Sequence, residues 1–155
     1  MKTKKMVRIA VIAALYASVT ILSAPISYGP VQVRISEALT VLPFIFPESI
    51  LGLFIGCLIA NIFGGFGLPD IIFGGLATLL AGYLTSKMPN KYLAPLPPVL
   101  VNAVVIGLML KFVLGVPLLA TMLWVGLGQL LACYLLGLPM LYWLQRHGFK
   151  RNLLI

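Results

Sequence analysis

The chain alternates long apolar stretches with short charged segments. Charged residues are absent from five stretches, namely Ile9–Val33, Ser49–Pro69, Ile71–Ser86, Tyr92–Leu110 and Phe112–Gln145. Glycine and proline divide these stretches further, because both residue types interrupt regular helices. The pattern predicts six helices, at about 7–24, 33–46, 47–64, 68–86, 96–114 and 117–146. The sixth would be about 45 Å long at 1.5 Å per residue, so we expect it to tilt, to kink at Pro139 or to protrude from a membrane.

The composition places these helices in lipid. Hydrophobic residues make up 61% of the 155 residues and charged residues only 9%, whereas soluble domains contain about 25% charged residues. Each membrane-spanning helix needs about 20 residues, so six of them leave no room for a soluble catalytic lobe. The sequence contains no Walker phosphate loop and no nucleic-acid module. We predict an all-α membrane protein whose single integral domain covers residues 1–155.

The net charge of +8 is distributed unevenly over the eleven lysines and arginines. Only Arg34 and Lys111 fall near one side of the predicted bundle. The others fall on the opposite side, in the N-terminal segment, the loop between helices 4 and 5, and the C-terminal segment: Lys2, Lys4, Lys5, Arg8, Lys87, Lys91, Arg146, Lys150 and Arg151. Because cytoplasmic loops carry the excess of Lys and Arg, this predicts six spans in a cell membrane with both termini cytoplasmic. The basic balance thus indicates topology and not nucleic-acid binding.

Small residues form a stripe on the first predicted helix. Ala10, Ala13, Ala14 and Ala17 have helical spacing that brings them to one side, where another helix can approach closely. That helix belongs either to the same chain or to a partner subunit. On helix 3 the glycines at four-residue spacing, from Gly52 onward, favour packing inside the bundle.

Ionisable residues within apolar helices are costly and are therefore candidates for function. Arg34 and Glu37 are three positions apart on predicted helix 2, so they form either a mutual ion pair or part of a ligand site. Asp70 lies in the first turn of helix 4, where a carboxylate either favours the helix N-terminus or contacts a ligand. For Glu48, which has the same geometry at the other side, we expect only capping.

Further polar and aromatic residues lie at similar depth. Asn61 and Gln129 either bridge helices by hydrogen bonds or orient a ligand, and Asn102 is a weaker candidate nearer the cytoplasm. Tyr28 and Trp124 fit an interfacial aromatic belt or a stacking surface. The polar groups concentrate in the outer half, which predicts a pocket open to the outside. With one histidine and no nucleophile paired with a base, the sequence predicts no enzyme, metal site or cofactor.

Several segments resemble one transporter family. The segments are APISYGPVQVRISEAL at 24–39, LPFIFPE at 42–48, GCLIAN at 56–61, LATLL at 76–80, WVGLG at 124–128 and CYLLGLP at 133–139. Together they resemble the QueT family, the substrate-capturing S components of energy-coupling factor (ECF) transporters. The resemblance implies a six-helix bundle that takes up queuosine precursors or salvage products. It also implies a transmembrane coupling subunit, which contacts the small residues of helix 1, and two cytosolic ATPases.

The ligand implied by the resemblance is a 7-deazaguanine base, such as 7-aminomethyl-7-deazaguanine, or queuine or queuosine. Its ring N–H groups suit a carboxylate, for which we expect Glu37 or Asp70. Asn61, Gln129 or Arg34 would donate to its carbonyl oxygen, and Tyr28 or Trp124 would stack on the ring. A cationic aminomethyl group would favour a second carboxylate. The alternative from another class is a solitary proton-coupled carrier for a small nucleobase-like or vitamin-like solute.

Overall fold

The computed structural model describes residues 2–28, 33–64 and 66–149, and within these ranges every regular secondary-structure element is a helix. Its elements are α1 (Lys2–Leu22), the short α2 (Ala24–Ser27), a 3₁₀ helix (Ile35–Phe44), α3 (Ser49–Ile62), a first π segment (Asp70–Gly74), α4 (Gly75–Lys87), α5 (Leu96–Leu114), α6 (Leu118–Leu130), a second π segment (Leu131–Gly137) and α7 (Leu138–Arg146). The predicted helix 96–114 is confirmed, and the other predicted helices have counterparts with shifted ends.

In the described part of the chain, three helices are long and apolar enough to cross a bilayer by themselves, namely Lys2–Leu22, Leu96–Leu114 and the continuous helix Leu118–Arg146. Large apolar side chains on their surfaces are exposed, as for Leu22 (84%) and Phe112 (83%), which is typical of lipid-facing helices. The protein is therefore a helical membrane protein.

The second predicted helix differs from the expectation in kind and in length. Residues 35–44 form a 3₁₀ helix of 10 residues with Pro43 inside it. At a rise of about 2.0 Å per residue such a helix extends about 20 Å, less than the roughly 30 Å of a hydrocarbon layer. Eight of its residues are buried, because it packs among α1, α4 and the second π segment. It is an internal element of the bundle.

The long last helix, Leu118–Arg146, contains Pro139 and has a π-helical segment just before it. The second π segment, Leu131–Gly137, lies directly before Pro139. A proline has no N–H and its ring collides with the carbonyl four residues earlier, so a π turn at this point relieves the strain within the helix. Gly137 lies where the second π segment meets the 3₁₀ helix, and a Cβ there would be 2.8 Å from the Ala38 carbonyl oxygen.

A close helix contact joins α1 to α3. A Cβ on Gly52 would lie 2.7 Å from the Ile9 carbonyl oxygen, and one on Gly56 would lie 2.8 Å from that of Ala13. The prediction of internal packing by the glycines of helix 3 is confirmed. Small residues here let two backbones approach without a large cavity between them.

This contact corrects the expectation for the alanine stripe of α1. Ala13 and Ala17 are buried, each with 6% exposed surface, whereas Ala10 and Ala14 are exposed. The physical reason is that α3 covers one side of the stripe, so its four members do not share a free face. Only Ala10 and Ala14 remain available to another subunit.

The expected capping role of Glu48 is also wrong. Glu48 precedes α3 but makes no side-chain cap hydrogen bond. Its carboxylate instead forms an ion pair with Arg8 of α1, and the Arg8 guanidinium lies 4.0 Å from the centre of the Phe46 ring. A charged partner attracts the carboxylate more strongly than the backbone N–H groups of the first turn. This ion pair links the start of α3 to α1.

We expect Gly56→Ala to lower the free energy of unfolding by about 1–3 kcal/mol, because its new methyl group collides with backbone atoms of α1. The measurement is unfolding in mixed detergent micelles. Gly126→Ala is the matched control, since a Cβ there would meet only Ala103 at 3.4 Å. Equal stability of the two variants would contradict the close α1–α3 contact.

Candidate functional site

A buried ion pair joins the segment before the 3₁₀ helix to the first π segment. Arg34 Nη2 lies 3.1 Å from Asp70 Oδ2 and 3.4 Å from Oδ1, and the two residues are 4% and 0% exposed. Arg34 Nε also donates to the Ser27 carbonyl oxygen at 3.4 Å. Asp70 lies in the first turn of its helical segment, as predicted, and its carboxylate also pairs with a side chain from another part of the chain.

The predicted alternative of an Arg34–Glu37 ion pair is wrong in the described part of the chain, where Arg34 pairs with Asp70. Arg34 has extended backbone angles, φ −95° and ψ 106°, and precedes the helix that contains Glu37. Two residues three positions apart share a face only when both belong to one helix. The extended backbone at Arg34 therefore does not place its side chain on one helical face with Glu37, although both residues lie near the same point inside the bundle.

Glu37 is held by two neutral hydrogen-bond donors. The Tyr16 hydroxyl of α1 donates to Glu37 Oε1, and Asn102 Nδ2 of α5 donates to Glu37 Oε2 over 3.3 Å. Glu37 is only 2% exposed. The carboxylate therefore links α1, the 3₁₀ helix and α5 at one point inside the bundle.

Asn61 bridges two elements, as one of its two interpretations predicted. Its Nδ2 donates to the Asp70 carbonyl oxygen at 2.8 Å and contacts Cys57 Sγ at 3.5 Å. Its Oδ1 is buried and has no hydrogen-bond partner among the described residues. A buried acceptor without a donor costs free energy, so an arriving N–H group would be favourable here.

A small polar cavity lies at the centre of these contacts. Nine residues line it: Arg34, Glu37, Cys57, Gly74, Thr78, Asn102, Ile106, Val125 and Gln129. Its free volume is about 10 Å³, enough for roughly one water molecule. Gln129 is 4% exposed, and its Oε1 lies 3.7 Å from Cys133 Sγ. The cavity therefore unites Arg34, Glu37 and Gln129 of the predicted set with the weaker candidate Asn102.

Comparison with known proteins now decides the family. The family described as "QueT transporter" matches residues 6–146, which includes every residue of the cavity. This chain belongs to the QueT transporter family.

One curated relative supports the assignment. The "Queuosine precursor transporter QueT" of Lactococcus lactis subsp. cremoris (strain MG1363) is 48% identical over 82 residues, which are 51% of this chain and 47% of that protein. The chain thus spans about half the length of the curated relative that it matches. No solved structure matches the chain.

The two aromatic candidates of this QueT-family chain lie in different places. Tyr28 is beside the ion pair, with its ring centre 5.5 Å from the Arg34 guanidinium carbon and its hydroxyl donating to the Ala60 carbonyl oxygen at 2.5 Å. Partial burial raises the pKa of the Tyr28 phenol, which keeps this donor protonated. Trp124 is 54% exposed and lines a separate apolar cavity with Phe66 and Pro117. The structure does not bring Trp124 to the polar cavity, which corrects its expected place beside the other candidates.

Three residues with polar side chains at or beside the cavity were not among the predicted site residues. Tyr16 donates to Glu37, and Cys57 and Thr78 line the cavity. Tyr16 is the single hydroxyl-bearing aromatic residue in the apolar part of α1, which was an available signal. Cys57 and Thr78 carry no such signal, because both residue types are common in helix interiors.

Proposed function

We propose that this chain is the substrate-capturing membrane subunit of an ATP-dependent ECF importer for queuosine precursors or salvage products. The observation that carries the proposal is the polar cavity, where a carboxylate, two amides and a buried ion pair meet inside an otherwise apolar QueT-family protein. Buried polar groups in a membrane protein are costly and mark substrate sites.

The cavity chemistry supports a 7-deazaguanine ligand. Such a base presents N–H donors, and Glu37 and Gln129 Oε1 supply acceptors beside the cavity. Asn61 lies behind the cavity wall, since a Cβ on the lining residue Gly74 would be 2.5 Å from the Asn61 amide nitrogen, and its Oδ1 has no hydrogen-bond partner among the described residues. The Asn102 and Gln129 amide groups offer donors for the carbonyl oxygen of the base.

Asp70 has a different role in this proposal from that of Glu37. Its carboxylate already accepts two contacts from the Arg34 guanidinium and is completely buried. We assign Asp70 the positioning of Arg34, which lines the cavity, and we assign ligand contact to Glu37. Because the free volume of about 10 Å³ is far below that of a nucleobase, binding requires the surrounding helices to move apart.

The proposed topology is six crossings with both termini in the cytoplasm of a prokaryotic cell. It is supported by the excess of Lys and Arg at the N-terminus, the α4–α5 loop and the C-terminus. In this topology the 3₁₀ helix does not reach across the bilayer by itself.

The proposed partners are a transmembrane coupling subunit and two cytosolic ATPases. Ala10 and Ala14 are exposed on α1 at four-residue spacing, the arrangement that permits close helix contact in membranes. This pair is the proposed contact with the coupling subunit.

For the partner contact, we expect Ala14→Leu to reduce uptake roughly tenfold or more while leaving ligand binding to the isolated chain unchanged. A bulky side chain at Ala14 would keep a second helix at a distance. Ala120→Leu is the control, because Ala120 is also exposed but lies on α6. Equal uptake by both variants would argue against the α1 contact.

The experiment that tests the proposed function compares uptake of radiolabelled 7-aminomethyl-7-deazaguanine into vesicles. One set of vesicles contains this chain alone, and the other contains the chain with an ECF coupling subunit and its ATPases. We expect uptake only with the complete module and ATP. Uptake by the chain alone, driven by a proton gradient, would support the solitary proton-coupled carrier instead.

A further inference from the structure

A long apolar groove lies on the surface of the bundle, between α5 on one side and the first π segment and α4 on the other. Its volume is about 570 Å³, which is within the range of about 300–1,000 Å³ for ordinary ligand sites. Ala77 of α4 and Met109 of α5 form its floor and are 1% and 3% exposed. Larger side chains at its edges, such as Leu76 and Phe112, are exposed. The surface is therefore concave here and is not a flat apolar patch.

The groove and the polar cavity lie on different faces of the same two helices. On α4, Ala77 lines the groove and the next residue, Thr78, lines the polar cavity. On α5, Val105 and Ile106 are divided in the same way. Within the described chain no residue lines both. The groove is therefore a second site, and a molecule in it would not compete directly with a ligand of the polar cavity.

The lining of the groove offers only hydrophobic contact. All ten of its lining residues have apolar side chains, so a polar solute would lose its hydrogen bonds to water on entering and would gain none in return. The side formed by the first π segment and α4, from Pro69 to Leu80, is about 16 Å long at about 1.5 Å per residue. This length is close to half of the roughly 30 Å hydrocarbon layer. The groove therefore matches one acyl chain within one leaflet of the bilayer.

A lysine lies at the end of the groove where a lipid headgroup would be. Lys111 of α5 is exposed and directly precedes the lining residue Phe112. It makes no ion pair within the described ranges. A lysine near the end of a membrane helix extends its ammonium group to the interface, where the group attracts the phosphate of a lipid. The charge at this end thus complements a phospholipid whose acyl chain lies in the groove.

We propose that the groove binds a phospholipid, with one acyl chain between α4 and α5 and its phosphate on Lys111. This inference goes beyond the proposed transport function and does not depend on the ligand of the polar cavity. Only the choice of leaflet rests on the proposed topology, which places this end of α5 at the outer surface.

The test uses a phosphatidylglycerol that carries a photoreactive diazirine in the middle of one acyl chain. The purified full chain is reconstituted without partner subunits in vesicles of equal parts phosphatidylethanolamine and phosphatidylglycerol that contain this probe, and mass spectrometry locates the labelled residues. We expect several-fold more label on Leu76, at the edge of the groove, than on Leu123 of α6. The two leucines are 55% and 61% exposed and lie at similar distances from the same ends of their helices. Equal labelling of the two would overturn the inference and would leave the proposed transport function untouched.

A pair of neighbouring valines tests whether the label depends on the shape of the groove. In Val105→Phe the larger ring would occupy part of the groove, so we expect several-fold less label on Leu76. Val104→Phe is the matched control, because Val104 is 47% exposed and does not line the groove, and it should label normally. Undiminished labelling of Leu76 in Val105→Phe would contradict the acyl-chain site. The comparison of Leu76 with Leu123 on the unmodified chain does not depend on either variant folding.

Lys111→Gln tests the phosphate contact separately. This variant keeps the apolar groove but removes the positive charge at its end, so we expect less label on Leu76 than in the unmodified chain, without complete loss. Unchanged labelling in Lys111→Gln would overturn the assignment of the phosphate to this residue.

Discussion

Replacing Arg34 by alanine is expected to destabilise the protein by about 3–5 kcal/mol, the largest single effect that we predict on stability. The substitution would leave Asp70, which is 0% exposed, without its cationic partner at 3.1 Å. An uncompensated charge in a nonpolar interior is far more costly than the loss of one ordinary hydrogen bond. The free energy of unfolding in mixed detergent micelles measures the effect.

A double variant separates the ion pair from general packing. Arg34→Met with Asp70→Leu removes both charges and keeps much of the side-chain volume. Because replacing both members of a buried ion pair by apolar residues is often neutral or stabilising, this variant should be more stable than Arg34→Ala or Asp70→Ala. If the effects of Arg34→Met and Asp70→Leu, each measured singly, simply added in the double variant, the two residues would not be energetically coupled.

Removing the Glu37 carboxylate is expected to have the largest effect on binding. We expect Glu37→Ala to weaken the affinity for 7-aminomethyl-7-deazaguanine at least about 100-fold, because the variant loses a charged acceptor in a desolvated site. Glu48→Ala removes the same group from a carboxylate that pairs with Arg8 elsewhere, and it should bind the ligand normally.

The free energy of unfolding of Glu37→Ala is measured as well. The substitution removes hydrogen bonds from Tyr16 and Asn102, so it also affects the stability of the fold. A variant that remains folded and binds with unchanged affinity would refute the assignment of Glu37 to the ligand site. A loss of affinity equal to that of Glu48→Ala would place the effect outside the cavity.

The pattern of apolar residues was sufficient to predict most helices, because lipid imposes strong constraints on length and composition. The helix 96–114 is bounded by Pro97 and by Gly115, which has a positive φ of 69°, and both signals are visible in the sequence. The 3₁₀ helix at 35–44 was not predictable in this way. It is buried among several other elements of the bundle, and the periodicity of a sequence does not report such contacts.

The sequence also indicated which polar residues matter but not which of them pair. Arg34 and Glu37 were assigned to one face on the assumption of a regular helix, and the extended backbone at Arg34 sends the guanidinium to Asp70, 36 positions away. The Asn102 contact with Glu37 spans 65 positions. Helix packing in three dimensions determines such partners. The depth of a residue along its helix therefore indicates only approximately which side chains it contacts.

The α1 stripe illustrates the same limit. Spacing brought four alanines to one side of a helix, but α3 covers Ala13 at the Gly56 contact and leaves Ala10 and Ala14 exposed. Small-residue spacing predicts close approach and does not distinguish an internal neighbour from a partner subunit. Only the packed structure divides the stripe into its two parts.

The central claim, that this QueT-family chain captures 7-deazaguanines, is tested most directly by a binding titration of the purified full chain. The ligands are 7-aminomethyl-7-deazaguanine, queuine, guanine and riboflavin, added separately under one set of conditions. We predict tight binding of at least one of the two 7-deazaguanines, weaker binding of guanine and none of riboflavin. Tight binding of riboflavin without binding of either 7-deazaguanine would contradict the account.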